Sequence, residues 1–245
     1  MNLRASSPAF AVGFLILLLA GALLTGAGIG AMSISPAQVA AILAKAVGIH
    51  LPMEFGAGQE AVLLSIRLPR VLLGALVGGS LAIAGGAMQG LFRNPLADPG
   101  LLGVSSGAAL AAFAAIVLGG ALLPHLNEAA HGFLLPISAF AGGLGAILVI
   151  YALSREGGHE GSRVSVSTML MAGIAVNALC GAGIGLFAYL ATDAQLRGFT
   201  FWSLGSLGGA TWGGLARVAP VLLLAIATFV RLARPLNLLS LGETE

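Results

Sequence analysis

The chain has 245 residues, of which 58% are hydrophobic and 8% are charged, whereas soluble domains average about 45–50% and about 25%. This composition excludes a water-soluble globular domain. Residues 5–44 carry no charged side chain, and about 20 apolar residues are enough for a helix to span a bilayer. The formal charge of +2, without a basic cluster, argues against a nucleic-acid partner, because phosphates require many cations.

Six apolar stretches predict six membrane-spanning helices and hence an all-α polytopic membrane protein. The stretches cover residues 9–31, 69–92, 100–123, 133–153, 167–191 and 212–232. The first stretch is longer than the apolar core of a cleavable signal peptide, which has about 7–15 residues, so we interpret it as a retained helix. Residues 1–245 are predicted to form a single transmembrane domain surrounded by membrane lipid.

Two of the connections are predicted to be helical. After the first stretch, Ser35 and Pro36 precede Gln38–Val47, a pattern typical of an N-capped helix. Before the sixth stretch, residues 195–209 combine aromatic side chains with an arginine, a mixture found at the lipid headgroup level. We therefore expect a short interfacial or re-entrant helix there.

The second stretch begins with two arginines, Arg67 and Arg70, which flank Leu68 and Pro69. Pro69 suits the first turn of a helix, where its missing N–H would have no partner. The two guanidinium groups suit lipid headgroups, which long side chains reach from an apolar helix. They equally suit carboxylates on a docking protein, and the residues alone leave both interpretations open.

Gly103–Gly107 matches the G-x-S-x-G pattern of a serine hydrolase, with Ser105 as the nucleophile. That pattern requires a strand before it and a helix after it, whereas here a proline-containing turn precedes an apolar stretch. No histidine lies within an apolar stretch to act as the base. An intramembrane serine hydrolase is therefore a weak alternative.

The polar side chains weigh against a second alternative, an ion-coupled secondary carrier. No Asp, Glu, Lys or Arg stands in the middle of a stretch, whereas such carriers place ionisable groups there. We expect Gln89 and Asn177 to bond to neighbouring helices. The histidines lack metal-ligand spacing and the sequence lacks a phosphate-binding loop, so we expect neither a metal nor an ATP site in this chain.

Residues 89–108 link the second and third stretches and, together with Arg67–Arg70, closely resemble the signature of the FecCD-type family. Its members are permease subunits of ABC importers for iron chelates, haem and vitamin B12. The resemblance continues through residues 171–175, 195–197, 202, 205–207, 234–237 and 241–243 and covers nearly the whole chain. The similarity to haem permeases is greatest in residues 177–180, 189–193 with 195–197, and 201–207.

The resemblance implies the fold of a type II ABC importer permease, which has about ten spanning helices of about 20 apolar residues each. About six of these helices would be present in this chain. It implies a homodimer in the bacterial inner membrane with a cytoplasmic N-terminus. ATP-binding cassette subunits would hydrolyse ATP, and a substrate-binding protein would dock from the periplasm. The chain would then be a transport subunit rather than an enzyme, and it would bind no cofactor.

The resemblance also assigns roles to particular residues. Arg67 and Arg70 would receive acidic residues of the binding protein. Asn94, Leu96 and Ser167 would narrow the substrate path at a cytoplasmic gate. These roles come from the family pattern and not from the physical chemistry of the residues.

The expected cargo is haem, with a ferric siderophore or vitamin B12 as alternatives. Family members continue beyond the positions of Gly242 and Glu243, which would begin the coupling to the ATPase. The resemblance therefore predicts that these 245 residues are the N-terminal part of a permease and do not transport without the rest.

Overall fold

The computed structural model describes residues 8–122, 125, 128–155 and 166–241. Those residues form an all-α structure, which confirms the predicted fold class. Its helices are α1 (Pro8–Gly28), α2 (Pro36–Ala46), α3 (Ala57–Val62), α4 (Leu68–Phe92), α5 (Val104–Leu122), α6 (Glu128–Leu153), α7 (Val166–Leu190), α8 (Asp193–Leu204) and α9 (Trp212–Leu241). A π-helical turn, Leu63–Arg67, joins α3 to α4, and a 3₁₀ turn, Pro99–Leu102, precedes α5.

Each of the six predicted stretches forms a helix, and five helical segments among the described residues are long and apolar enough to cross a membrane. These segments are Ala9–Gly28, Ala57–Phe92, Gly132–Leu153, Ser167–Leu190 and Trp212–Leu238. The third predicted stretch gives a shorter apolar helix, Val104–Gly120, because the 3₁₀ turn takes up its first residues. No residue in the apolar window of Ala9–Gly28 is buried, as expected of a helix that lipid surrounds.

The helix that carries Arg67 begins earlier than the sequence predicts. It runs without interruption from Ala57, so the prediction that Pro69 stands in the first turn of its helix is wrong. In the π turn, the N–H of Leu68 donates to the carbonyl of Leu63, five residues back. A proline ring collides with the preceding turn of a regular α-helix, and this widened turn gives Pro69 room.

The described residues form two compact units. The first contains the residues up to Leu81 together with Leu207–Thr228, and its core joins the end of α1 to α2 and the π turn. The core residues are Ala27, Ile34, Val39, Ile42 and Leu63. Ser35 caps α2 by accepting a hydrogen bond from the N–H of Gln38 at 3.2 Å, which confirms the N-capped helix predicted there.

The second unit contains Ala82–Ser206 and the residues from Phe229 onwards. Within it, the backbones of α5 and α6 are in direct contact. A Cβ atom on Gly107 would lie 2.5 Å from the carbonyl oxygen of Gly142 and 2.6 Å from the Cβ of Ala146. Helices in lipid associate through such small residues, because no hydrophobic effect drives them together.

The short helix predicted after the fifth stretch forms as α8, which packs on α5 in the second unit. Gln195 Nε2 donates to the carbonyls of Ile116 and Val117 at 3.2 and 3.3 Å. The ring of Phe199 stacks on that of Phe113, with 4.0 Å between centroids and 3° between planes. A polar and an aromatic contact therefore hold α8 to α5.

Candidate docking and gating sites

Arg67 lies at the end of the π turn, and its guanidinium group is enclosed by the end of α1. Nη1 donates to the carbonyls of Ala27 at 2.8 Å and Gly28 at 2.7 Å, and Nη2 donates to the carbonyl of Met32. The residue is 7% exposed. The last carbonyls of a helix lack intrahelical donors and carry the negative end of its dipole. Arg67 therefore supplies both hydrogen bonds and positive charge where α1 ends.

Arg70 lies three residues further along the same helical run, and its side chain is exposed. Its Nη2 donates to the carbonyl of Gly208 at 2.9 Å. Nearby in the first unit, the indole N–H of Trp212 donates to the carbonyl of Leu64 at 2.8 Å. These bonds join the π turn and the start of α4 to the residues that precede and begin α9.

The two arginines that the sequence pairs are thus in different environments. Both are predicted to dock a binding protein, but only Arg70 presents an exposed side chain, whereas Arg67 is buried against backbone carbonyls. Docking stays a prediction for both. Sequence reasoning missed the Arg67 carbonyl contacts because their partners lie 35 to 40 residues earlier.

A pair of glutamines orders the connection from α1 to α3, next to Arg67. Gln38 Nε2 donates to the carbonyl of Glu54, and Gln59 Nε2 donates to the carbonyl of Ser33, each at 3.2 Å. The two side chains also bond to each other, with Gln59 Nε2 donating to Gln38 Oε1 at 3.3 Å. Gln38 stands three residues after the N-cap Ser35, and this capping-box spacing was a sequence signal for it. Gln59 accepts from the N–H of Gly56 at 2.9 Å, and glycine offers no such signal.

The turn after α4 contains two of the predicted gate residues. Asn94 Oδ1 accepts a hydrogen bond from the N–H of Leu96 at 2.9 Å, and Asp98 Oδ1 accepts from the N–H of Gly100 at 2.6 Å. Short polar side chains stabilise turns by such local bonds. The apolar side chain of Leu96 in the same turn is 83% exposed.

The third predicted gate residue, Ser167, is exposed in the first turn of α7. One turn further along α7, Leu170 lines a pocket together with residues of the turn after α4. The pocket is lined by Met88, Phe92, Asn94, Ala97, Asp98, Leu102 and Leu170. The structure therefore places Asn94 near the start of α7. Leu96 and Ser167 are close in sequence to residues that line the pocket, but they do not line it themselves.

Asn177 of α7 connects that helix to the turn before α5. Its Nδ2 donates to the carbonyl of Gly100 at 3.5 Å, which agrees with the structural role expected of it. Gly103 ends the 3₁₀ turn with a φ of +69°, a left-handed conformation that glycine adopts without strain. A Cβ atom there would also lie 3.2 Å from Val176 Cγ1, so the turn packs closely on α7.

The G-x-S-x-G pattern has a packing explanation. Gly103 is required by the left-handed end of the turn, and Gly107 by the contact with Gly142. Ser105 lies exposed in the first turn of α5, preceded by a 3₁₀ turn where a hydrolase would have a strand.

The remaining predicted site residues, Gly242 and Glu243, lie outside the described residues. Within the part of the chain that the structure describes, no group of three or more His, Cys, Asp or Glu side chains could hold a metal ion.

Comparison with known proteins relates the chain to transport permeases. A sequence model of the FecCD transport family matches residues 15–245. The hemin transport system permease protein HmuU of Yersinia pestis is 43% identical over 238 residues, which are 97% of this chain and 65% of that protein. The cobalamin import system permease protein BtuC of Halobacterium salinarum is 38% identical over 196 residues, 79% of this chain and 49% of that protein.

A solved structure gives the same relationship at the level of the fold. It shows an inward-facing conformation of a metal-chelate type ABC transporter and matches with a TM-score of 0.75 at 29% identity, covering 96% of this chain and 66% of that chain. The chain thus spans about half to two thirds of the length of these relatives.

Proposed function

Since the chain belongs to the FecCD transport family, we propose that it is a transmembrane permease subunit of an ATP-driven importer whose cargo is haem. The observation that carries this proposal is the 43% identity to a hemin permease over 97% of the chain. Vitamin B12 is the second candidate, supported by 38% identity to a cobalamin permease over 79% of the chain. A ferric siderophore is a third cargo consistent with the family.

The proposed assembly is a homodimer of permeases in the bacterial inner membrane, with the N-terminus in the cytoplasm. ATP-binding cassette subunits hydrolyse ATP on the cytoplasmic side, and a substrate-binding protein delivers the cargo from the periplasm. The chain supplies the path and its gates. ATP binding to the partner subunits would bias helix tilting between two states of that path.

Particular side chains fit steps of this mechanism. The exposed guanidinium group of Arg70 would receive a carboxylate of the binding protein through charge-assisted hydrogen bonds. The turn that Asn94 closes, with Leu96 at its tip, would move with the start of α7 at the cytoplasmic gate. The pocket that Asn94 shares with Leu170 supports this pairing, because one shift would change both elements.

The test is deletion of the gene for this chain in its native host, followed by uptake of labelled haem, vitamin B12 and a ferric siderophore. We expect loss of haem uptake and unchanged uptake of the other two compounds. Loss of vitamin B12 or siderophore uptake instead would assign that cargo, and unchanged uptake of all three would contradict the proposal.

The energy source distinguishes an ABC importer from an ion-coupled carrier. We expect haem uptake to stop when the nucleotide-binding partner carries an inactive ATPase site and to continue when a protonophore collapses the proton gradient while ATP is maintained. The opposite pattern would assign the chain to the carrier class.

A further inference from the structure

The end of α1 forms a fitted seat for one guanidinium group. Three backbone carbonyls, of Ala27, Gly28 and Met32, accept hydrogen bonds from Arg67. The seat also depends on Gly30, because a Cβ atom there would lie 2.6 Å from Nη2 and 3.1 Å from Cζ of Arg67. The guanidinium group of Arg67 thus has three carbonyl acceptors, and the absence of a side chain at Gly30 leaves room for it.

Docking by Arg67 would require this seat to be vacated. The guanidinium group would leave three carbonyls, and two of them stand at the C-terminal end of α1, where the helix supplies no donor. Hydrogen bonds from a charged donor are stronger than those between neutral groups, and the loss of this donor would be costly for the carbonyls of Ala27 and Met32, whereas Gly28 would keep the N–H of Ile34. Nothing comparable holds Arg70, which is exposed and donates to one carbonyl, that of Gly208.

We propose that Arg67 is a positioning residue that closes the end of α1, and that Arg70 is the arginine of this pair available to an acidic partner. The second half of this statement rests on the proposed docking function, whereas the first half does not.

The position of Arg67 also affects the loop that follows α1. The carbonyl of Gly28 accepts a second hydrogen bond from the N–H of Ile34 at 3.1 Å, and the carbonyl of the neighbouring Ser33 accepts one from Gln59. Arg67 therefore bonds to Gly28, where this turn begins, and to Met32 within it. That turn leads into the glutamine pair, so Arg67 orders the connection from α1 to α3 as well as the helix end.

The test is the rate at which phenylglyoxal, a reagent for accessible guanidinium groups, modifies each arginine of the purified 245-residue chain in detergent micelles. Mass spectrometry of peptides reads Arg67 and Arg70 separately. We expect Arg70 to react on the order of tenfold faster or more, because Arg67 reacts only when the end of α1 opens locally. Equal rates would overturn the proposal, and this comparison needs no variant and no binding protein.

A matched pair of glycine variants tests the seat itself. G30A places a methyl group against the Arg67 guanidinium just after the end of α1, whereas a Cβ atom on Gly21, within α1, would meet nothing within 4 Å. We expect G30A to raise the Arg67 labelling rate and the hydrogen exchange of amides 29–34, and G21A to leave both unchanged. Unchanged labelling and exchange in G30A would overturn the proposal.

A conservative replacement gives a second readout. R67K keeps the charge but cannot span three carbonyls with a planar fork, so we expect faster exchange of amides 29–34, whereas R70K should leave that exchange as it is. If R67K and R70K affect this exchange equally, Arg67 has no special positioning role. Because none of these readouts involves uptake, they separate a failure of this proposal from a failure of the proposed transport function.

Discussion

The connection from α1 to α3 and the α5–α6 pair are ordered by opposite means. In the first, polar side chains reach backbone carbonyls far away in sequence, as Arg67 does to Ala27 and Gln59 to Ser33. In the second, the absence of side chains at Gly107 and Gly142 lets two backbones touch. A connection that carries many unpaired backbone groups needs donors, whereas two complete helices in lipid need only close packing.

The largest effect is expected from a substitution that disrupts the α5–α6 contact. G107A would place one methyl group 2.5 Å from the carbonyl oxygen of Gly142, and neither backbone can yield as a flexible side chain would. We expect a loss of about 3 kcal/mol, the upper end for overpacking, measured as a lower unfolding temperature in detergent micelles. G145A is the control, because a Cβ atom there meets nothing within 4 Å. Equal melting of both variants would show that α5 and α6 do not rely on this approach.

The next largest effect is expected from a substitution in the connection from α1 to α3, where polar side chains bond to backbone carbonyls. R67M keeps the length of the side chain and removes the donors to Ala27, Gly28 and Met32. We expect a loss of about 2–3 kcal/mol, because the carbonyls of Ala27 and Met32 lose the Arg67 donor, whereas that of Gly28 keeps the N–H of Ile34. R70M should change the stability by less than about 0.5 kcal/mol, as exposed substitutions do. If R70M lowers the unfolding temperature as much as R67M, the contrast between the two arginines is wrong.

A smaller effect sharpens the comparison, because the second unit also contains a polar contact between helices. Gln195 Oε1 accepts from the N–H of Thr192 at 2.9 Å, while its Nε2 donates to carbonyls of α5. Q195M removes both, and we expect a loss of about 1–2 kcal/mol for a capping and a side-chain hydrogen bond. Q195E keeps the capping acceptor but places a carboxylate against the α5 carbonyls, so it should melt at least as low as Q195M.

T200A is the control for Gln195. Thr200 Oγ1 donates to the carbonyl of Leu196 within the same helix and is exposed, so its removal should leave the unfolding temperature nearly unchanged. A Q195M protein that melts like T200A would mean that α8 is held by the stacking of Phe199 on Phe113 alone.

The smallest effect shows which polar contacts of the first unit contribute little. Lys45 pairs with Glu60 at 2.8 Å, but the side chains are 45% and 28% exposed. Exposed ion pairs contribute about 0–1 kcal/mol, so we expect K45A to cost less than about 0.5 kcal/mol and the cost to shrink at high salt. A cost near that of R67M would mean that this ion pair, rather than the carbonyl contacts, orders the region.

The features that the sequence predicted correctly depend on local signals. A run of apolar residues determines where a spanning helix forms, and Ser35 followed by Pro36 determines where α2 begins. The turn that contains Asn94 is equally local, because its stabilising bond goes to Leu96. Family resemblance then indicated these residues as a gate, which the physical chemistry of the turn alone does not.

The features that the sequence did not reveal depend on distant partners. Arg67 and Arg70 look equivalent in sequence, and their difference arises because the carbonyl partners of Arg67 come from the end of α1, about 40 residues away. Trp212 donates to Leu64 over 148 residues, and no pattern near either residue indicates the other. The need for glycine at position 30 follows from the contact with the Arg67 guanidinium, and no residue near Gly30 in the sequence indicates that contact.

The π turn before α4 has a consequence for the evolution of this segment. Each residue of an α-helix advances the chain by about 100° around its axis, so the extra residue in Leu63–Arg67 offsets the angular register of everything that follows it. Deleting one residue here would restore a regular helix and turn Arg70, with the rest of α4, by about that angle. Insertions and deletions tolerated in an ordinary loop should therefore be rare between Leu63 and Arg67, because they would rotate a spanning helix rather than shorten a connection.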